Sequence, residues 1–493
     1  MERILMIRLQ EMLFGSSNKA ESAKISALEK KGVILKIAPR IYTSNLQEHP
    51  EVIIKRNWFR ILSNQFPGAI LSHRSALEFK PVNGEHIFVT YSYTRKNHLP
   101  GLTIHFQQGP VRQENDNVFF ENLYASQEAR AFLENMQETR TRNDLSKTLP
   151  ISDIEERLDL IIRSRGEEAV NAIRDEARRL APILGMEKEF SKLNLVISTL
   201  LNTGDSRSLH SPVAIARSLG EPFDPQRIKL FEILYQALSG KTFPAYADKN
   251  LSLIAYRNFG FFESYFSNYI EGTEFAVNEA QQIIQTETPL PERDEDSHDI
   301  LGTYQIVSDR REMSITPSSP DELLQLLRNR HATLLRARIS KKPGQFKDKN
   351  NRAGNTEFVD WQLVAGTLKK GFDWYSLLKD PFAKAAYMMF MISEVHPFLD
   401  GNGRIARVMM NAELSSKSLS KIIIPTVYRE DYMGALRKLT RQYDPTPYIR
   451  MLLRTFEFSS YIYGEDQLNM ENELIQSNAF QDPEAAKLVI IPR

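Results

Sequence analysis

HPFLDGNGRIAR, residues 396–407, sets a histidine, an acid, two glycines around an asparagine and two arginines between apolar helical runs. The stretch before it, DPFAKAAYMMFMISEV (380–395), predicts a buried helix with Asp380 as N-cap and Pro381 at the first helical position. That helix should end near His396, because Pro397 biases the residue before it away from the α region. Phe398 can then anchor the loop in the core while Asp400 points outward. Gly401-Asn402-Gly403 permits backbone conformations that a Cβ forbids, so several N–H groups at the start of the next helix (RIARVMMNAEL) can converge on one point. The helix dipole adds positive potential there, which makes an anion site. Arg404 and Arg407 stand three apart and project to one side. Asp400 is an oxygen ligand suited to Mg2+, which keeps waters and bridges phosphates. His396 can take a proton near neutral pH. Assembled, these residues form a phosphate cradle. A helix end and a turn would explain HP and GNG, yet would leave the acid and the spaced arginines without a role.

The remainder of the chain bounds what carries this loop. At 493 residues it exceeds one ordinary core, so roughly two to four domains are expected. A hydrophobic content of 42% with 25% charged residues is that of a soluble globular protein. The formal charge of +1 provides no global field toward nucleic acid or membrane, so any basic surface must be local. Apolar runs are too short for a membrane span, and MERILMIRLQEML alternates charged and apolar residues, unlike a signal peptide. With no cysteine, disulfides, thiolate metal sites and a cysteine nucleophile are excluded; a reducing cytoplasm fits. SGKTF (239–243) echoes the end of a P-loop, but Tyr235 stands where its first glycine is needed.

Residues 1–45 read as helix, turn (GSSN), helix and a short strand. Two further helices are expected over 55–64 and 74–79. GEHIFVTYSYT and GLTIHFQQG read as β runs joined by a charged turn, RKNHLP. Helical spacing dominates 127–202 and again from Pro320 to about 459. TETPLPERDEDSHD (286–299), with prolines and six acids, reads as an exposed loop, and the last thirty residues as loosely packed. Through residue 60 there are eleven Lys/Arg against six Asp/Glu, a net of +5. KKGVILKIAPRIYTSN and the helices before it resemble a winged helix with a strand pair as wing. KIAPRIYTSN, GAILSHRSALEF and HIFVTYSYTRKNHLPGLTIH are similar to the bacterial AbiEi-type antitoxin family, which implies a DNA- or partner-binding role for residues 1–135. An interaction scaffold without DNA stays open, since +5 is modest against the phosphate contacts that affinity needs.

HPFLDGNGRIAR resembles the Fic family signature, HPFx(D/E)GNGRxxR, at every defined position. The likeness extends through SNYIEG, PGQFK, GNTEFV and IIIPTVYREDY. An intact GNG is what the nucleotidyl-transferring branch carries, whereas Doc-type kinases alter this loop. The resemblance implies a protein adenylyltransferase using ATP as substrate and Mg2+ as cofactor. His396 would be the base on a target hydroxyl, and Asp400 would hold Mg2+. Gly401, Asn402, Gly403 and Arg404 would cradle the phosphates, and Arg407 would meet the γ-phosphate. Ser267, Glu271 and Gly272 match the family's inhibitory pattern (S/T)xxxE(G/N), with Ser267 and Glu271 on one helix face. The glutamate would pair with Arg407 and exclude the γ-phosphate. Gly354, Asn355, Thr356, Glu357, Phe358 and Val359 lie where the family has its target-docking β-hairpin flap, although FVDWQ departs from the usual proline-bearing version. Tyr428 and Tyr432 are candidates for the adenine pocket, or are simply core residues.

The expected architecture is α+β: a mixed α/β winged-helix-like domain (1–135), a helical connecting region (136–245), a mainly α-helical Fic core with its inhibitory helix and flap (246–460), and a polar C-terminal tail (461–493). Expected partners are ATP and a target protein, with DNA, self-modification and a homodimer left open and no membrane. Alternatives at the same site are removal of AMP or transfer of another nucleotide. From a different class, a DNA-binding, antitoxin-like regulator with a nucleotide-sensing site also stays open.

Overall fold

A computed structural model describes residues 10–139, 145–201 and 206–492. Two compact units meet in sequence at Gly220 and Glu221.

The first unit begins with strand β1 (Met12–Phe14), helix α1 (Lys19–Lys30) and strands β2 (Leu35–Ala38) and β3 (Ile41–Thr43), paired in the order β1-β3-β2. Met12–Phe14 was expected to be helical; its ladder to Ile41–Thr43 instead buries Met12, and residues 1–9 of the expected helix lie outside the described residues. Next come α2 (Pro50–Arg56), α3 (Trp58–Gln65), β4 (Ile70–Leu71), α4 (Arg74–Glu78), β5 (His86–Tyr91), β6 (Arg95–Leu99), β7 (Leu102–Gln108), β8 (Asn117–Phe120) and β9 (Leu123–Ala125). The sheet order is β6-β7-β5-β4-β9-β8. RKNHLP was read as a turn, yet Arg95–Leu99 is an edge strand antiparallel to β7, while β5 and β7 run parallel. Its charges suit an edge, where they discourage further pairing. Helices α5 (Glu128–Asn135), α6 (Ile151–Arg165), α7 (Glu167–Leu184), α8 (Glu187–Leu200) and α9 (Pro212–Ser218) share one apolar core within this unit.

The second unit opens with α10 (Pro225–Leu238), α11 (Leu253–Ile270), α12 (Val277–Thr286), α13 (Asp294–Val307) and α14 (Pro320–Leu334). The hairpin β10 (Arg352–Ala353) and β11 (Thr356–Glu357) leads to α15 (Val364–Leu377), α16 (Pro381–Val395), α17 (Asn402–Ser415), α18 (Arg429–Gln442), α19 (Thr446–Ser459) and α20 (Gln467–Gln476). Helix α16 is apolar all round, as a fully surrounded helix must be, and its run from Tyr387 to Ile392 is wholly buried. Asp380 caps it, accepting from the Ala383 N–H at 3.1 Å, and Pro381 begins it.

Residues 286–299 are not the exposed loop that their composition suggested. Asp294, Glu295 and Asp296 fill the first turn of α13, where acids meet the positive end of the helix, and Ser297 and Asp299 are buried. Nor are the C-terminal residues a loose tail. Met470 and Leu474, four apart on α20, join Leu488 in a core with Phe262 and Phe266 of α11. Among the described residues no helix is long and apolar enough to cross a membrane.

Asp380→Ala removes the N-cap of α16 and should destabilise the second unit by about 1 kcal/mol, measured as faster amide exchange in the first turn of that helix.

Candidate active site

His396 ends α16 in the left-handed region (φ 53°, ψ 59°), its N–H donating to Ile392 O at 2.9 Å. The loop that follows is shaped largely by neutral groups. The Asn402 side chain accepts from Phe398 N–H (2.8 Å) and donates to Phe398 C=O (2.9 Å), and Asn351 donates to that same carbonyl. Sequence reasoning had Asn402 facing phosphate; both ends of its buried amide are taken by the loop backbone instead. Phe398 is fully buried and stacked on His331 with ring centroids 3.7 Å apart. His331 Nδ1 accepts from Gly344 N–H at 2.9 Å, so its proton lies on Nε2, which donates to Asp400 C=O at 3.1 Å. Burial holds this imidazole's pKa down to about 4. Gly401, at φ 72°, makes the turn into α17 that a Cβ would strain.

For His396 itself, Nδ1 lies 3.2 Å from Ser393 C=O, which can only accept. Nδ1 therefore carries the proton and Nε2 keeps its lone pair. Burial pushes the pKa down to about 4, so the ring is a neutral base at physiological pH.

The two arginines reach α11 by different routes. Arg407 Nη2 donates to Glu271 Oε1 (2.7 Å) and Ser267 C=O (2.8 Å), Nε donates to Ser267 Oγ (3.0 Å), and Nη1 donates to the Tyr432 hydroxyl (3.4 Å). Burial works against the charge on Glu271, but Arg407 and Arg404 outweigh it and hold the carboxyl below its ordinary range. A Cβ on Gly403 would lie 2.1 Å from Glu271 Oε1, so this glycine is what admits the carboxylate. Gly272, at φ 91°, turns the chain away after it. Arg404 pairs with Asp299 Oδ2 at 2.6 Å and donates to Asn268 Oδ1 at 3.2 Å. Asp299, which also binds Arg338, was missed because its acidic, proline-bearing surroundings read as loop. Asn268 falls inside SNYIEG at a position that the pattern leaves undefined.

Asp400 Oδ1 accepts from Gly401 N–H at 2.7 Å, and Lys341 Nζ lies 3.5 Å from Oδ2. Burial opposes its charge, while the Gly401 hydrogen bond and nearby cations hold its pKa below the usual range. Among the described residues no group of three or more metal-ligating side chains exists. A single, partly exposed carboxylate fits Mg2+, which draws its other ligands from phosphate and water.

Some of these groups line a cleft of about 530 Å3: Glu271, Gly403, His396 and Tyr432 face it with Gly354, Asn355, Thr356 and Phe358 at the hairpin and Met433 and Leu436 of α18, while Asp400, Arg404 and Arg407 are not among its lining. Gly354 and Asn355 form the turn between Ala353 and Thr356, Glu357 ends the second strand opposite Arg352, and Val359 is fully buried. Phe358 stacks on His396, with centroids 3.6 Å apart and planes within 3°. Tyr428 lines a different groove with Arg450 and Lys438. A larger cleft of about 1120 Å3, lined by Arg257, Tyr304 and Arg311, contains none of these groups.

Residues 321–414, which hold the hairpin, α15, α16 and most of α17, match the Fic/DOC family model. The chain is similar to protein adenylyltransferase fic-1 of Caenorhabditis elegans, 24% identical over 234 residues that cover 44% of each chain. It is also similar to protein adenylyltransferase Fic of Nematostella vectensis, 26% identical over 262 residues, 51% of this chain and 57% of that one. The chain thus spans about half the length of these curated relatives. Among solved structures, a Fic-1 segment from C. elegans aligns with a TM-score of 0.36 at 16% identity, over 66% of this chain and 97% of that one.

In an NMR titration, the His396 ring should stay neutral as pH falls through 6.5 and gain its proton only near pH 4. A midpoint close to 6.5 would contradict the site as described.

Proposed function

We propose that this chain is a protein adenylyltransferase, moving AMP from ATP to a hydroxyl of a target protein, and that Glu271 restrains it in cis. The observation that carries this reading is the Glu271 carboxylate seated at Gly403 on Arg407, 2.7 Å from the guanidinium. A niche that admits a carboxylate oxygen where a Cβ would clash has the shape and charge for a phosphoryl oxygen. Buried Arg404 Nε has no hydrogen-bond partner among the described residues, which leaves a donor for a second anion.

In the reaction, the target hydroxyl oxygen attacks the α-phosphorus of ATP, and His396 Nε2 accepts the hydroxyl proton. The bond from α-phosphorus to the bridging oxygen breaks, and pyrophosphate departs. The N–H groups at the start of α17, with Arg404 and Arg407, orient the phosphates, so catalysis rests on positioning and charge. Mg2+ held by Asp400 would neutralise phosphate charge. Glu271 and a γ-phosphate compete for one guanidinium, and two anions so close repel strongly in a partly desolvated niche.

Glu271→Gly should raise incorporation of α-labelled ATP into the protein itself or a lysate target, with none from γ-labelled ATP. Equal labelling of wild type and variant at saturating ATP would remove the inhibitory role, and transfer from γ-labelled ATP would make the site a kinase. In the Glu271→Gly background, His396→Ala should lower AMP transfer by at least about 100-fold, the contribution of a general base, with ATP binding retained by calorimetry.

A further inference from the structure

We propose that Phe358 and Arg227 are positioning residues for His396: Phe358 holds the imidazole by its face, and Arg227 holds Phe358 by locking the hairpin to the helix that carries His396. The kinetic part of this inference rests on the adenylyl-transfer reading; the geometric part does not.

The imidazole presents the correct nitrogen only while Nδ1–H stays on Ser393 C=O, 3.2 Å away. A half-turn about its bond to Cβ would bring Nδ1 into the cleft, and to make that turn the ring must first stand edge-on. The Phe358 ring, parallel to it with centroids 3.6 Å apart, occupies the space that movement needs. One weak hydrogen bond thus selects the orientation, and an aromatic face blocks the route out of it.

Phe358 cannot hold that place unaided. It follows a hairpin of two residues per strand whose residues are mostly exposed, and so short a ladder is marginal alone. Arg227 supplies the anchor. Its Nη2 donates to Glu357 C=O at 2.5 Å, and its Nε lies 2.9 Å from Glu394 Oε1. Glu394 is buried on α16 two residues before His396, and its other oxygen accepts from Thr440 Oγ1 at 2.7 Å. A single guanidinium therefore spans from hairpin backbone to catalytic helix. Arg227 stands on α10, outside residues 321–414 that the family model matches. Lysine could keep the pair with Glu394 but lacks the fork to reach both partners.

The test uses the full chain. In wild type the His396 ring protons lie against the Phe358 face and should resonate upfield; in Phe358→Leu and Arg227→Lys they should move downfield, with thermal melting retained. In the Glu271→Gly background, both substitutions should lower kcat for AMP transfer about tenfold through misplacement of the base, with KM for ATP unchanged, and Phe358→Tyr should restore both shifts and kcat. Unmoved His396 signals in Phe358→Leu would overturn the proposal, as would a kcat that holds or rises. If the Glu271→Gly parent transfers no AMP, the adenylyl-transfer reading fails, while the shifts still decide the positioning of His396.

Discussion

Arg407 is buried, and a buried guanidinium must meet an anion or carry a penalty of several kcal/mol. The second unit is arranged around that demand. Helix α11 brings Ser267 and Glu271 to it, α18 brings the Tyr432 hydroxyl, and Gly403 withholds a side chain so that the carboxylate can come close. The partner need not be protein. A phosphate would satisfy the same fork, so under the proposed function the residue that holds Glu271 is the one a nucleotide would have to capture.

The neighbouring Arg404 is governed otherwise. Asp299 holds it at 2.6 Å and also grips Arg338. That carboxylate belongs to a helix packed into the core, while Glu271 sits at a helix end with its side chain 30% exposed. One arginine has a buried counter-ion and the other a partly exposed one, which under the proposed function would be the one replaced. The asymmetry follows from where each acid is mounted, since a helix terminus can move without disturbing a core.

Much of this was legible before any coordinates. Asp380 and Pro381 announced α16, Pro397 announced its end, and the spacing of Ser267 and Glu271 placed both on one face of α11, while the Fic resemblance named Arg407 as the glutamate's partner. Three features were hidden for physical reasons. Asp299 lay in a run of acids and prolines whose composition says loop, although the acids there complement a helix start. Asn402 looked like a ligand because it stands between glycines, but an asparagine four residues after Phe398 can close a local ring on that backbone. The face-to-face contact of Phe358 with His396 joins segments far apart in sequence, and no periodicity reports it. Tyr428 and Tyr432, alike on paper, part because Tyr428 ends a 3-10 turn before α18 begins at Arg429: only Tyr432 lines the cleft.

The loop from Phe398 to Gly403 is held on main-chain atoms by an uncharged amide and an uncharged imidazole, Asn402 and His331, and by the Asp400 carboxylate on Gly401 N–H. The two neutral groups keep their hydrogen bonds across the physiological pH range, whereas under the proposed function the occupant would be chosen by charge. On that reading the seat would stay constant while tenants change, and the chain would pass between a quiet and a working condition without rebuilding its floor.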